Sequence, residues 1–152
     1  MRIIANLDQG LHGHIFAYVM FQQFSNPKPI HLIVDTGSTV TTLLSDDVTR
    51  LGINCSNLNL APDPSATANG PVTPYLLPNV VLIIEVEHGL FNRNHSFMGF
   101  RLNTAQCMPP TNPMQITPQK IHDAYSLLGM DMLRLFKKWK WHHGQRILTL
   151  DT

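Results

Sequence analysis

Eleven prolines and nine glycines cut this 152-residue chain into short segments. The stretches between them are rich in Val, Ile, Leu, Phe and Thr over spans of roughly four to eight residues, the signature of strands rather than long helices. The chain therefore reads as mostly β. Strands are expected over residues 14–20, 30–34, 39–44, 79–84, 96–102, 124–128, 137–141 and 146–150. Two short helices interrupt them. Residues 45–51 offer Ser45 as a cap, Asp46 and Asp47 at the positive end of the helix dipole, and Gly52 as a stop. Residues 130–136, opened by Asp131, place Met132, Leu133 and Phe136 at helical spacing.

With 43% hydrophobic and 14% charged residues the composition lies far from that of disordered chains, and the length fits one domain over 1–152. A chain of this size buries roughly two-thirds of its unfolded surface without disulfides. The net charge of +1 argues for neither nucleic acid nor an anionic membrane as partner. Cys55 and Cys107 sit in unrelated sequence contexts without ligand spacing, so free thiols are favoured over a disulfide or a zinc site. Asp8 interrupts the apolar stretch that a signal peptide needs. The expectation is a cytoplasmic protein. The longest uncharged run, 64–84, is broken by Gly70, Pro71, Pro74 and Pro78, and its longest continuously apolar piece, 80–84, is well short of the ~20 residues of a spanning helix.

Two stretches leave the β pattern, 59–75 and 107–120. The first contains Asn69-Gly70, a tight-turn dipeptide because both residues tolerate positive φ. The second holds Pro109, Pro110, Pro113 and Pro118 without a sustained PxxP repeat, and reads as a surface loop.

Chemistry concentrates in Ile30-His31-Leu32-Ile33-Val34-Asp35-Thr36-Gly37-Ser38-Thr39-Val40. A carboxylate directly after aliphatic residues must be paired, hydrogen-bonded or protonated if it is buried. Taken alone, Asp-Thr-Gly is also ordinary turn chemistry. A second element, Tyr125-Ser126-Leu127-Leu128-Gly129-Met130-Asp131-Met132-Leu133, is an apolar strand that ends in Gly and runs straight into a helix. In this order and separation the two motifs resemble the retropepsin-like aspartic proteases, the single-lobed relatives of pepsin. The resemblance covers nearly the whole chain. It implies a closed β-barrel of the acid-protease type, with a flap hairpin and one or two short helices.

The resemblance makes Asp35 the catalytic residue and Thr36, Gly37 and Ser38 its active-site loop. Leu128, Gly129 and Asp131 form the structural second motif, Asp131 serving as a helix N-cap or first-turn acid. Ala68, Asn69 and Gly70 become the tip of a flap over residues 66–75. Peptide hydrolysis then runs on two carboxylates sharing one proton, with no metal and no cofactor. At ~3 Å and an effective dielectric of about 20 the pair repels by roughly 5 kcal/mol, a crude scale for keeping one of them protonated. The chain supplies one Asp-Thr-Gly, since Asp151-Thr152 has no following Gly. The second copy must come from another chain, which implies a homodimer about a two-fold axis and a peptide or protein substrate. Gly37 lets the backbone approach the carboxylates, Thr36 hydrogen-bonds across the two-fold, and Ser38 donates to the outer oxygen of Asp35.

Viral members carry an Arg directly after the second-motif Gly, paired with an Asp four residues beyond the catalytic one. Met130 and Thr39 stand there instead, so the pattern is closer to cellular and prokaryotic members. Two other features suggest different chemistry. His12-Gly13-His14 and His142-His143 lack an acid or Cys at ligand spacing, and the second pair falls at a hairpin turn. The stretch from Arg134 to Arg146 holds five basic residues and two tryptophans, a composition that nucleic-acid binders share. Its alternation, with Trp139 and Trp141 on one side and Lys138 and Lys140 on the other, instead describes a half-buried strand whose tryptophans pack in a core or interface. The remaining alternative to an endopeptidase is a non-catalytic dimerising or peptide-binding domain that keeps the fold. An intact Asp35-Thr36-Gly37 favours the enzyme.

Overall fold

Alternation along β2 (Gly13–Met20) sets the pattern for the whole molecule: Gly13, Ile15, Ala17 and Val19 are buried, and the residues between them face outward. The computed structural model describes residues 1–67, 70–88, 94–110 and 125–152. Besides β2, its strands are β1 (Arg2–Leu7), β3 (Lys28–Val34), β4 (Thr42–Leu43), β5 (Ser65–Thr67), β6 (Gly70–Val72), β7 (Tyr75–His88), β8 (Asn94–Cys107), β9 (Ser126–Leu128), β10 (Lys138–His142) and β11 (Ile147–Asp151). The helices are α1 (Ser45–Leu51) and α2 (Met130–Leu133).

Pairing runs β1-β2-β3-β9-β4-β8-β7 and returns from β7 to both β1 and β2, so the sheet closes into a barrel. Closure satisfies the backbone groups that an open edge would leave unpaired. Inside lie Ile3, Leu32, Leu43, Leu77, Leu82, Ile84, Leu128 and Leu148. The β10–β11 hairpin adds to the outer edge of β1, and β5–β6 is a separate hairpin.

Most expected strands are present with shifted ends. Residues 79–84 and 96–102 are the centres of two 14-residue strands, β7 and β8, paired from Tyr75–Cys107 to His88–Asn94. Strand 39–44 shrinks to Thr42–Leu43, because Thr41 spends its amide and hydroxyl on Asp131 instead of a ladder. Strand β1 is an addition to the expected strands: Ile3, Ala5 and Leu7 point inward, but Ile4 at an outward position masks the apolar–polar alternation in the sequence. Ala124 and residues 111–120 of the proline-rich stretch lie outside the described residues.

Helix α1 has its expected span, and Gly52 ends it in the left-handed region at φ 70. Its cap differs from expectation. Leu44 holds the N-cap position and no side chain caps the helix, so Ser45 is the first helical residue. Asp47, in the first turn as expected, is fully buried. Arg50 holds its Oδ1 at 2.6 and 3.0 Å, and the Ser126 hydroxyl donates to Oδ2 at 2.7 Å while accepting from the Leu44 amide. This network locks α1 onto β9. Burying that carboxylate is tolerable only because both oxygens are occupied.

Helix α2 stops at Leu133 rather than residue 136. Trp139 is half-buried, its indole donating to Phe136 O, but Trp141 is 46% exposed on the edge strand β10. Trp139 therefore packs against the core, whereas Trp141, opposite Leu148, stays exposed within the single chain. Cys55 and Cys107 are free, yet not unrelated in space: burial pushes both thiols up, and the two side chains interact.

Candidate active site

Asp35 follows directly on β3, and the neighbour of β3 decides how it is held. That neighbour is β9, in parallel, with Leu32 opposite Ser126, Ile33 opposite Leu127 and Val34 opposite Leu128. The Asp35 amide extends this ladder by donating to Leu128 O at 3.1 Å. The first motif is therefore hydrogen-bonded to the second. Within the turn, the Gly37 amide donates to Asp35 Oδ1 at 2.9 Å and the Ser38 amide to Asp35 O at 3.3 Å. A Cβ on Gly37 would stand 3.2 Å from that same Oδ1, so glycine is what allows the amide so close to the carboxylate.

Ser38 does not do what the resemblance implied. Its hydroxyl donates to Val40 O at 2.7 Å, closing its own turn, and leaves Asp35 to the Gly37 amide. The backbone path through Thr39 and Val40 turns the side chain away from the carboxylate. Thr36 and Gly37 are exposed at the loop tip, and Asp35 is half-buried.

The second motif clamps the loop from behind. Met130 and Asp131 amides donate to Ser38 O (2.8 Å) and Thr39 O (3.2 Å). Asp131 is a first-turn acid of α2, whose N-cap is Gly129, and its Oδ1 accepts from the Thr41 amide, the Thr41 hydroxyl and the Met132 amide. The two segments cross so closely at Gly129 that an added Cβ would lie 2.4 Å from the Val40 carbonyl carbon and 2.7 Å from the Thr41 nitrogen. Those atoms are backbone and have nowhere to go. Gly129→Ala is expected to destabilise the fold by about 3 kcal/mol or more, read from the denaturation midpoint; wild-type stability would mean that the loops do not cross in this way.

In front of the loop lies a cleft of about 360 Å³, lined by Asp35, Gly37, Ser38, Thr39, Val40, Thr42 and Leu127 on one side and by Pro64, Ser65, Ala66, Gln106 and Met108 on the other. Ser65 at the root of the β5–β6 hairpin donates to Gln106 Oε1 at 3.3 Å, tying this second wall to β8. Of the expected flap tip, Gly70 opens β6 at φ 107 opposite Thr67, while Ala68 and Asn69 lie outside the described residues. Thr41, Gln106 and Met108 were not singled out from the sequence, where nothing local marks them. Among the described residues no group of three or more His, Cys, Asp or Glu side chains could hold a metal ion, and no helix is long and apolar enough to cross a membrane.

A closed barrel with one Asp-Thr-Gly loop clamped by a Leu-Gly-x-Asp helix turn defines a single-lobed protein of the aspartic-protease fold. Residues 19–132 match the aspartyl protease family, and the chain belongs to that family. Its fold is similar to that of a retropepsin-like aspartic protease from Rickettsia conorii, with a TM-score of 0.57 and 22% identity over 99% of this chain and 89% of that one. No curated protein matches the sequence.

Proposed function

We propose that this chain is an aspartic endopeptidase, one domain over 1–152, whose active centre forms from the Asp35 carboxylates of two identical chains. One observation carries the reading: the Asp35 carboxylate, held by the Gly37 amide, lines a cleft whose far wall begins at the β5–β6 hairpin. With one Asp-Thr-Gly per chain, the second carboxylate belongs to a second copy. The exposed Thr36-Gly37 tip is the part of the loop that a partner's loop can reach, with the Thr36 hydroxyl available to bond across the two-fold.

In this arrangement one ionised Asp35 takes a proton from a water lying between the carboxylates. The other, protonated, donates to the scissile carbonyl oxygen as the water adds, and the proton then passes to the leaving nitrogen as the tetrahedral intermediate collapses. The hairpin acts as a flap over residues 66–75, with Ala68, Asn69 and Gly70 at its tip, excluding water and pairing with an extended substrate. Leu127, Val40 and Met108 beside Asp35 favour apolar side chains on both sides of the cut bond.

The test is incubation with an unbiased peptide library from acid to neutral pH. Cleavage between apolar residues is expected, with inhibition by a peptide carrying a hydroxyl isostere of the hydrated intermediate. Insensitivity to chelators and to serine or cysteine traps completes the expected pattern. Loss of activity on chelation would overturn the mechanism.

A further inference from the structure

Side chains on β3 alternate, so His31, Ile33 and Asp35 share one face, while Ile30 and Leu32 point into the core. The strands beside β3 extend this face. Leu127 lies opposite Ile33 on β9, with Tyr125 beyond it, and β2 places His14 opposite Ile33 and Phe16 opposite His31. The surface that starts at the Asp35 carboxylate thus continues over Ile33 and Leu127 to a cluster of rings about 13 Å away, four residues at about 3.3 Å each.

That cluster is tightly organised. His31 stacks on Phe16 at 4.2 Å between centroids and meets Tyr125 edge-on at 4.5 Å, and His14 lies 5.1 Å from both His31 and Tyr125. His14 Nδ1 is 3.2 Å from His31 Nε2, and His14 Nε2 is 3.0 Å from Asp8 Oδ2. Asp8 also accepts from the His12 amide at 2.8 Å and faces the His12 ring at 3.1 Å. Phe16 is 73% exposed, and among the described residues nothing hydrogen-bonds His31 Nδ1.

These contacts assign the protons. The Asp8 carboxylate, held well below the usual range by His14 and the His12 amide, requires a hydrogen on His14 Nε2. Neutral His14 then accepts at Nδ1, so His31 carries its hydrogen on Nε2 and presents Nδ1 as a bare acceptor. A proton taken up by the pair is best placed on His14, beside Asp8. His14 Nδ1 then donates to His31 Nε2, and His31 becomes the Nδ1–H tautomer. Burial and the neighbouring His14 charge hold His31 itself below the ordinary imidazole value, so it changes from acceptor to donor while staying neutral. The other ionisable groups around the cluster are Asp47, whose charge His31 feels, and Glu85, Glu87 and His95, which share a groove with His14 and are paired with one another.

We propose that the His31–His14–Asp8 chain, with Phe16 and Tyr125, is a substrate subsite that selects a hydrogen-bonding side chain about three or four residues from the cut bond, and that it prefers a carboxylate there once the pair is protonated. The proposal rests on the endopeptidase reading for its substrate. Glu is accepted by a donor edge, Lys by an acceptor edge, and Gln by both, which makes Gln the internal reference.

The experiment takes one cleaved peptide and varies each position from two to five residues on either side of the bond among Glu, Gln and Lys, at pH 7.5 and pH 5. At one position the Glu/Gln ratio of kcat/KM is expected to rise about fivefold on acidification, the yield of one charge-assisted hydrogen bond at a half-exposed site, and the change should lie in KM. His31→Phe, which keeps the stack, should flatten it. Asp8→Asn, at a half-buried position, should move the rise to lower pH. The same series built on an uncleavable hydroxyl-isostere peptide reads binding by calorimetry. A flat ratio at every position alongside normal cleavage, or an unchanged rise in His31→Phe, overturns the subsite. A pH-dependent Glu preference in binding without any cleavage upholds the subsite and overturns the endopeptidase.

Discussion

Asp35→Asn is expected to lower kcat for peptide hydrolysis by at least about 10⁴-fold, the upper end of what general acid–base catalysis supplies, because in a symmetric pair the one substitution removes base and acid together. The fold should survive. An Asn oxygen can still accept the Gly37 amide that now lies 2.9 Å from Oδ1, and Asp35 is only half-buried, so the change in stability should stay within about 1 kcal/mol. Steady-state kinetics and thermal denaturation of the same preparation check both statements. Cleavage near the parent rate would remove Asp35 from the mechanism. A variant that fails to fold would show instead that the carboxylate is structural.

Specific activity should fall in proportion to chain concentration below the dimer dissociation constant, so that a tenfold dilution reduces turnover per chain about tenfold. The expectation follows from the proposed sharing of one active centre between two chains. Salt should matter little. Where the viral relatives place an ion pair, this chain has Thr39 and Met130, both of which spend backbone groups on the clamp between the two motifs. The contact then relies on Thr36 hydrogen bonds and apolar surface, which screening leaves intact. Sedimentation and activity measured together across a dilution and salt series test this. A monomer with concentration-independent specific activity would refute the shared site, and dissociation on adding salt would point to exposed Lys137, Lys138 and Lys140.

How much of this was legible beforehand depended on the range of the interaction involved. The span of α1, its Gly52 stop and the strands at 14–20, 30–34 and 146–150 follow from alternation and punctuation within a few residues. Asp35 stood out because a carboxylate after an aliphatic strand needs a partner, and the Gly37 amide is that partner. Gly129 stood out as a strand's end, though the reason for glycine there is a backbone crossing with Val40 and Thr41 that no local pattern reveals.

The sequence alone determined the two motifs, their order and the β character between them, since each is written in neighbouring side chains. Tertiary structure alone decided where the hydroxyl of Ser38 points, that Asp47 is buried between Arg50 and Ser126, that Asp131 grips Thr41 from 90 residues away, and that His14, His31 and Tyr125 meet in one ring cluster. These outcomes depend on which strands become neighbours. The parallel pairing of β3 with β9 is a long-range contact held in place by barrel closure, and only once it forms do side chains far apart in the chain find their hydrogen-bond partners.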